Sequence, residues 1–86
     1  MVSQEMIIAV RLFAQAREIL NSPQVEVRLE SASTVADLRK QLAVQHPALT
    51  ALLNRSAVAI NHSYATDDAD VGCGDEIAII PPVAGG

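Results

Sequence analysis

Two stretches of the chain alternate between hydrophobic and polar residues. In residues 6–13, Ile8, Val10 and Leu12 recur at every second position, which places their side chains on one face of a strand. Residues 25–30 alternate strictly, with Val and Leu side chains on one face and charged side chains on the other. Both patterns predict β-strands, and the second strand is expected to have one face in water.

Two other stretches are typical of helices. Residues 14–20 are rich in helix formers, and the Asn-Ser-Pro sequence that follows them stops a helix. Thr34 and Asp37 have the spacing of a capping box, and the apolar residues after them recur at helical spacing. This second helix is predicted over residues 35–44, because the proline after His46 restricts the backbone there and ends the helix.

The second half of the chain predicts short strands. Residues 47–56 contain apolar residues without a clean period and are interpreted as a loop with one helical turn. The segments AVAIN and IAII predict strands, and a brief strand or extended loop is expected around Tyr64. A capped helix among strands, without regular βαβ alternation, indicates an α+β domain in which the helix packs on one face of a mixed sheet.

Length and composition restrict the function classes. The 86 residues predict a single domain over residues 1–86, and its core is expected to be aliphatic because only two residues are aromatic. A net charge of -4 argues against a nucleic-acid binder, which needs cations to displace counterions from phosphates. No apolar run is long enough to predict a membrane span, and no secretory signal is expected.

The cysteine and the histidines do not predict a catalytic or metal site. Cys73 is the only cysteine, which is typical of a reducing compartment, so the cytoplasm is the expected location. Cys73, His46 and His62 lack metal-ligand spacing, and neither a metal nor a bound cofactor is expected. Five acidic residues lie within residues 67–76, where two interpretations stay open: a solvated loop, or a surface that attracts a basic partner.

The sequence ends in the apolar segment IIPPVAGG. Pro81 and Pro82 fix φ and favour an extended arm, while Gly85 and Gly86 reduce the arm to bare backbone. Residues 81–86 can reach at most about 20 Å, which is enough to enter the active site of another protein. The carboxylate of Gly86 is open to activation because no Cβ shields it. A tail without a function is the alternative interpretation.

Four segments together resemble a known family. LFAQAREIL, STVADLRKQL, AVAINHSYA and GDEIAIIPPVAGG occur in an order and spacing that resemble the MoaD family, the ubiquitin-like small subunits of molybdopterin synthase. The resemblance covers residues 6–86 and is most specific over residues 74–86. It implies a β-grasp fold, in which a mixed sheet curls around one main helix and an extended C-terminal tail follows.

The resemblance also implies a function. An E1-like activating enzyme would use ATP to adenylate Gly86, and a sulfur donor would convert the adenylate to a thiocarboxylate. The tail would carry this sulfur into the large subunit of the synthase, where the molybdopterin dithiolene is built from cyclic pyranopterin monophosphate. This chain is thus implied to be a carrier, with the catalytic residues on the large subunit. The residues implied to insert are Pro81, Pro82, Val83, Ala84 and Gly85.

The family pattern places an apolar patch beside the tail. The matching positions are Phe13, Tyr64 and Ile80, which are implied to contact the large subunit. Core packing is the alternative for Phe13, and a loop-covering role is the alternative for Tyr64. Three other functions stay open: a thiamine-type sulfur carrier, a ubiquitin-like modifier that joins Gly86 to lysines, and a non-covalent interaction module with an inert tail.

Overall fold

A five-stranded sheet and one long helix dominate the structure. The structure is a computed structural model and describes residues 4–82. The strands are β1 (Glu5–Leu12), β2 (Gln24–Glu30), β3 (Ala57–Ile60), β4 (Ser63–Ala65) and β5 (Ile77–Ile80). The helices are α1 (Ala14–Leu20), α2 (Val35–Gln45) and α3 (Thr50–Leu53), and a 3-10 turn, Pro47–Leu49, directly precedes α3.

The strands form a mixed sheet in the order β2-β1-β5-β3-β4. β1 and β5 run parallel, and the other neighbouring pairs are antiparallel. Helix α2 packs against one face of this sheet through Val35, Leu38 and Leu42, which are buried. The predicted arrangement of a mixed sheet on one main helix is therefore confirmed. The opposite side of the sheet is called the open face below.

The core between the sheet and the helices is aliphatic, as the composition predicts. Strand alternation explains how it forms: Ile8, Val10 and Leu12 of β1 are buried, while the residues between them are exposed. Each such side chain stabilises the fold by about 1.5–3 kcal/mol through its removal from water. The other large side chains that are fully buried are Leu38, Leu42, Leu49, Ile77, Ile79, Val27, Val35 and Val58.

The limits of β1 and α2 differ slightly from the prediction. β1 begins at Glu5 and ends at Leu12, so it lies one residue earlier than predicted at both ends. It ends there because Ala14 has a left-handed backbone conformation, with φ of 49°, that turns the chain directly into α1. Helix α2 continues one residue further than predicted, to Gln45.

The prediction of a loop with one helical turn over residues 47–56 is incomplete. A 3-10 turn and α3 occupy residues 47–53 in succession. Leu49, Leu52 and Leu53 are buried there and belong to the same core as the sheet. These elements are shorter than the window over which a helical period can be recognised in a sequence. Isolated helices of this length are not stable in water, so burial in the core is what stabilises them.

The first turn of α2 contains the predicted capping box. The backbone N–H of Thr34 donates to Oδ2 of Asp37 at 2.9 Å, and the Asp37 N–H donates to the Thr34 hydroxyl oxygen at 3.4 Å. The Thr34 hydroxyl also donates to the same carboxylate oxygen at 3.1 Å. These hydrogen bonds, the backbone one above all, lower the pKa of Asp37 because they favour its ionised form.

We expect Asp37→Asn to lower the free energy of unfolding at pH 7 and to have a progressively smaller effect in acid. Since the pKa of Asp37 is lower in the folded state, its contribution is complete above the unfolded pKa of about 3.9. That contribution is lost as the pH falls through the folded pKa. Urea unfolding at pH 7 and at about pH 3 measures both differences, with Asp68→Asn in an exposed turn as the matched control. A difference in the free energy of unfolding between the wild type and Asp37→Asn that does not change with pH would contradict the expectation.

Candidate functional site

A row of side chains crosses the open face from β1 to β4. The strand register pairs Arg11 with Ala78, Ala78 with Ala59, and Ala59 with Tyr64. Directly paired residues of neighbouring strands project from the same face of a sheet. The two alanines in the middle of the row are therefore flanked by a long side chain on each side, which leaves a depression between them.

This depression is a groove of about 270 Å³. Its lining residues are Arg11, Phe13, Ala59, His62, Tyr64, Glu76, Ala78 and Ile80. Phe13 is 45% exposed and Tyr64 is 76% exposed, so both aromatic side chains of the protein lie at the surface of the groove. The three residues predicted for the apolar patch, which include Ile80, are thus brought together, and core packing of Phe13 is excluded.

The turn from β1 into α1 places Phe13 on the open face. Phe13 is still in an extended conformation, with φ of -123° and ψ of 156°, so it continues the alternation of β1 and points away from buried Leu12. The left-handed Ala14 then reverses the chain at once. A non-glycine residue in this region carries a conformational cost of about 1 kcal/mol, which the surrounding packing has to offset.

A tight hairpin places Tyr64 on the opposite side of the groove. Asn61 and His62 have φ values of 51° and 71°, so both central residues of the two-residue turn between β3 and β4 are left-handed. Such a turn matches the twist of an antiparallel pair and fixes its register. Tyr64 consequently lies opposite Ala59, with its ring beside the floor of the groove.

Three charged or ionisable groups meet at one end of the groove. Nη1 of Arg11 lies 3.5 Å from Oε2 of Glu76, and Nε2 of His62 lies 3.4 Å from the same oxygen. The guanidinium carbon of Arg11 lies 6.0 Å from the centre of the Phe13 ring, a separation typical of a weak cation–π contact. The groove therefore has a polar end at Glu76 and an apolar end at Ile80, next to the tail.

Hydrogen bonds between the hairpin and the turn before β5 position Glu76. The N–H of Asn61 donates to the carbonyl oxygen of Glu76 at 2.8 Å, and the N–H of Glu76 donates to Oδ1 of Asn61 at 2.9 Å. Asn61 also donates to Asp75 at 3.0 Å, and Asp75 accepts from the N–H of Gly72 at 2.7 Å. Asp75 and Glu76 thus have structural partners, and so does a third of the five acids in residues 67–76, since Nε of Arg39 donates to Oδ1 of Asp67 at 3.0 Å.

The sequence interpretation missed part of this site. The sequence does not place Arg11 or His62 in the apolar patch, yet both contact Glu76. Arg11 shows a partial signal, since the alternation of β1 places it on the face opposite the core. The contact with residues 62 and 76 has no local signal, because it depends on how three distant segments pair.

The beginning of the tail lies beside the apolar end of the groove. Ile80 is half-buried and lines the groove, Pro81 is buried, and Pro82 is exposed. The described chain thus leaves the core between the two prolines. The predicted inserting residues Val83, Ala84 and Gly85, and the predicted reactive Gly86, lie outside the described residues.

A larger cavity of about 450 Å³ lies between α2 and the β2 side of the sheet. Arg28 and Lys40 line it together with Glu30 and Asp37, so charges of both signs are mixed along its wall. It has no exposed aromatic side chain and is remote from the tail. The groove with Phe13 and Tyr64 has the apolar character expected of a protein-binding surface, and we assign the candidate site to it.

Residues 4–82 offer little for other kinds of site. No group of three or more His, Cys, Asp or Glu side chains in this range could hold a metal ion, and Cys73 is an exposed free thiol. Among the helices described, none has the length and apolar character needed to cross a membrane.

Comparisons with known proteins match almost the whole chain. The profile of the ThiS family matches residues 10–86. The molybdopterin synthase sulfur carrier subunit of Arabidopsis thaliana is 39% identical over 79 residues, which cover 92% of this chain and 82% of that protein. The protein of the same name from Chlamydomonas reinhardtii is 35% identical over 81 residues, with coverage of 92% and 98%.

A solved structure shows the same fold. SAMP1, the small archaeal modifier protein 1 of Haloferax volcanii, is 31% identical and superposes with a TM-score of 0.80, covering 93% of this chain and 99% of that chain. This likeness confirms the predicted ubiquitin-like β-grasp fold.

Proposed function

The chain belongs to the ThiS family, and we propose that it is the sulfur carrier subunit of a molybdopterin synthase. The observation that carries this proposal is the agreement among relatives: proteins of that name are 35–39% identical to the chain over most of its length. The family match also extends through Gly86, so the Gly-Gly end belongs to the matched region. The predicted resemblance to this group of carriers is confirmed.

The proposed chemistry takes place on the carboxylate of Gly86. An E1-like enzyme joins this carboxylate to the α-phosphate of ATP, releasing pyrophosphate and forming an acyl-adenylate. A donor at the oxidation level of sulfide then attacks the carbonyl carbon through its sulfur, AMP leaves with the former carboxylate oxygen, and a thiocarboxylate remains once the sulfur has lost its proton. A dithiolene contains two sulfur atoms, so two such chains each donate one. The thiocarboxylate sulfur bonds to a carbon of cyclic pyranopterin monophosphate, and water then cleaves the bond between this sulfur and the Gly86 carbonyl carbon, which restores the carboxylate. The chain itself is proposed to bind no cofactor, since ATP is bound and consumed by the activating enzyme.

The folded domain is proposed to position this reagent. The groove docks on the large subunit through Phe13, Tyr64 and Ile80, and the tail that begins at Pro81 enters the active site. Residues 81–86 span at most about 20 Å. Tethering the sulfur to a docked domain raises its effective concentration at the target, which is the main contribution that a carrier can make. Catalytic acid–base groups are assigned to the large subunit, and the cytoplasm is the proposed location.

Intact-mass spectrometry tests the chemistry directly. After incubation with ATP, a cognate activating enzyme and a sulfur donor, we expect the chain to gain the mass difference between one sulfur and one oxygen atom. Omission of ATP should prevent the gain, because a free carboxylate is not an electrophile. No mass change, with an enzyme that modifies another carrier in parallel, would contradict the proposed function.

Protein modification is a second candidate function. The likeness to SAMP1, whose name describes a modifier, favours it specifically. A modifier would use the same adenylate, but a lysine amine would attack it and form an isopeptide bond with loss of AMP. Covalent conjugates in cell extract that contain residue 86 and disappear without ATP would support this function, whereas a thiocarboxylate without conjugates would support the carrier alone.

A further inference from the structure

The two edges of the sheet differ in how their backbone groups are satisfied. β2 forms one edge and β4 forms the other. An edge strand presents backbone N–H and C=O groups that can pair with a strand of another protein, and proteins close edges that must not pair. The condition of each edge therefore indicates which side of the sheet is available to a partner strand.

Side chains block the β2 edge by occupying its outward carbonyl groups and the outward N–H of Arg28. Gln45 of α2 binds the backbone of Arg28 at both groups: its Oε1 accepts from the Arg28 N–H at 2.9 Å, and its Nε2 donates to the Arg28 carbonyl oxygen at 2.9 Å. This amide replaces a neighbouring strand at that position. Nε2 of His46 lies 2.9 Å from the carbonyl oxygen of Glu26. A carbonyl oxygen can only accept a hydrogen bond, so Nε2 is the donor in this contact.

The remaining outward carbonyls of β2 are also occupied. The Ser22 hydroxyl donates to Gln24 at 2.7 Å, and the Ser33 hydroxyl donates to Glu30 at 2.6 Å. Together with the contacts of Gln45 and His46, side chains satisfy all four carbonyl groups that face away from β1. A partner strand could pair with β2 only by displacing them.

The β4 edge has no such closure. The Asn61 N–H bonds to Glu76 on the β5 side of β3, and backbone groups of a strand alternate in direction. Ile60 therefore faces β4 and pairs through hydrogen bonds with Ser63, while Ala59 and Tyr64 form a non-bonded pair. The N–H and C=O of Tyr64 thus point outward, and within residues 4–82 the N–H donates no hydrogen bond and the C=O accepts none.

We propose that the large subunit adds an extended strand to β4, bonded to the backbone N–H and C=O of Tyr64. The proposal rests on the carrier function above and names how its partner docks. Tyr64 belongs to both features: its backbone forms the open edge, and its side chain lines the groove. A partner that covers the groove from this side has to cross β4. The added strand would have apolar residues at alternate positions, which face the same side as Tyr64.

Amide hydrogen exchange tests the proposal without altering the protein. The measurement uses the full chain, labelled with ¹⁵N, alone and with the cognate large subunit. We expect the Tyr64 amide to exchange at least about tenfold more slowly in the complex, because a bonded amide exchanges only when the bond opens. The Arg28 amide, bonded to Gln45 in the free chain, is the internal control and should not change.

A pair of variants separates the backbone from the side chain. Tyr64→Ala removes the ring alone, while Tyr64→Pro also removes the outward N–H, a change that an edge position tolerates. We expect Tyr64→Pro to weaken binding by a further factor of about three to ten relative to Tyr64→Ala, the value of one hydrogen bond. Circular dichroism of both free variants checks that the fold is retained.

Each outcome bears on the proposal. Protection of Tyr64 in the complex with an unchanged Arg28 amide supports strand addition. Binding of the large subunit without protection of Tyr64 overturns strand addition but leaves the carrier function intact. No binding at all overturns both. Protection in the free chain that disappears on dilution would assign the edge to a second copy of this protein and would also overturn the proposal.

Discussion

Deletion of Gly86 is expected to reduce thiocarboxylate formation to background. The shortened chain still ends in a glycine carboxylate. A loss of thiocarboxylate formation would therefore show that the reaction depends on the position of the carboxylate and not only on its chemical type. The carboxylate is withdrawn by about 3.3 to 3.6 Å, the length of one extended residue. A displacement of about 1 Å already costs about 100-fold in a reaction that depends on alignment. Intact mass after incubation with ATP, activating enzyme and sulfur donor measures the result.

Two controls show that the deletion acts on the tail alone. The free energy of unfolding should not change, because Gly86 has no side chain to bury in the core. The full-length variant Gly85→Leu retains the terminal carboxylate but widens the tail, and it should also lose activity if the channel of the activating enzyme is narrow. A truncated chain that still acquires the sulfur would contradict the assignment of Gly86 as the reactive residue.

The second large effect is expected from Ile80→Asp, which should weaken binding of the large subunit at least about 100-fold. Ile80 lines the apolar end of the groove, beside the tail. Docking would bury the new carboxylate without a partner, and an unpaired buried charge costs about 3 to 5 kcal/mol. Isothermal titration calorimetry of the free chain with the large subunit measures the loss.

The protein offers a matched control for this substitution. Ile7 is an isoleucine on the same open face and is 56% exposed, but it lies outside the groove and opposite Arg28 of β2. Ile7→Asp introduces the same charge and should leave the affinity nearly unchanged. Equal losses for the two variants would indicate that the partner covers the whole face. An unchanged affinity for Ile80→Asp would move the interface away from the groove.

Local patterns in the sequence were sufficient for much of the fold. Alternation predicted β1 and β2, and the Thr34–Asp37 pair predicted the start of α2, because each signal depends only on residues close in sequence. Ala14 shows where this information ends. Its left-handed conformation reverses the chain directly after Phe13 and so leaves that extended residue at the end of the open face, but alanine carries no preference for that conformation. The sequence therefore left the exposure of Phe13 open.

The candidate site was predictable only where family resemblance supplied positions. Phe13, Tyr64 and Ile80 came from the resemblance, and the groove unites them. The contacts of Arg11 and His62 with Glu76 arise from strand register, so no local pattern contains them. The same holds for the blocked β2 edge. In the sequence, Gln45 and His46 only mark the end of a helix. Their side chains bind the outward backbone groups of β2 because α2 packs against the sheet.

The position of β5 has a mechanical consequence. The strand that leads into the tail is the middle strand of the sheet, with β1 on one side and β3 on the other. A force applied to the tail by a bound partner is therefore opposed by the hydrogen bonds of β5 to both β1 and β3. An edge strand would be held by the hydrogen bonds of one neighbour alone. Because β5 is the strand that joins the β2-β1 pair to the β3-β4 hairpin, the sheet is continuous only when β5 is in place. A chain whose tail extends from a correctly paired β5 has therefore already formed the centre of its sheet.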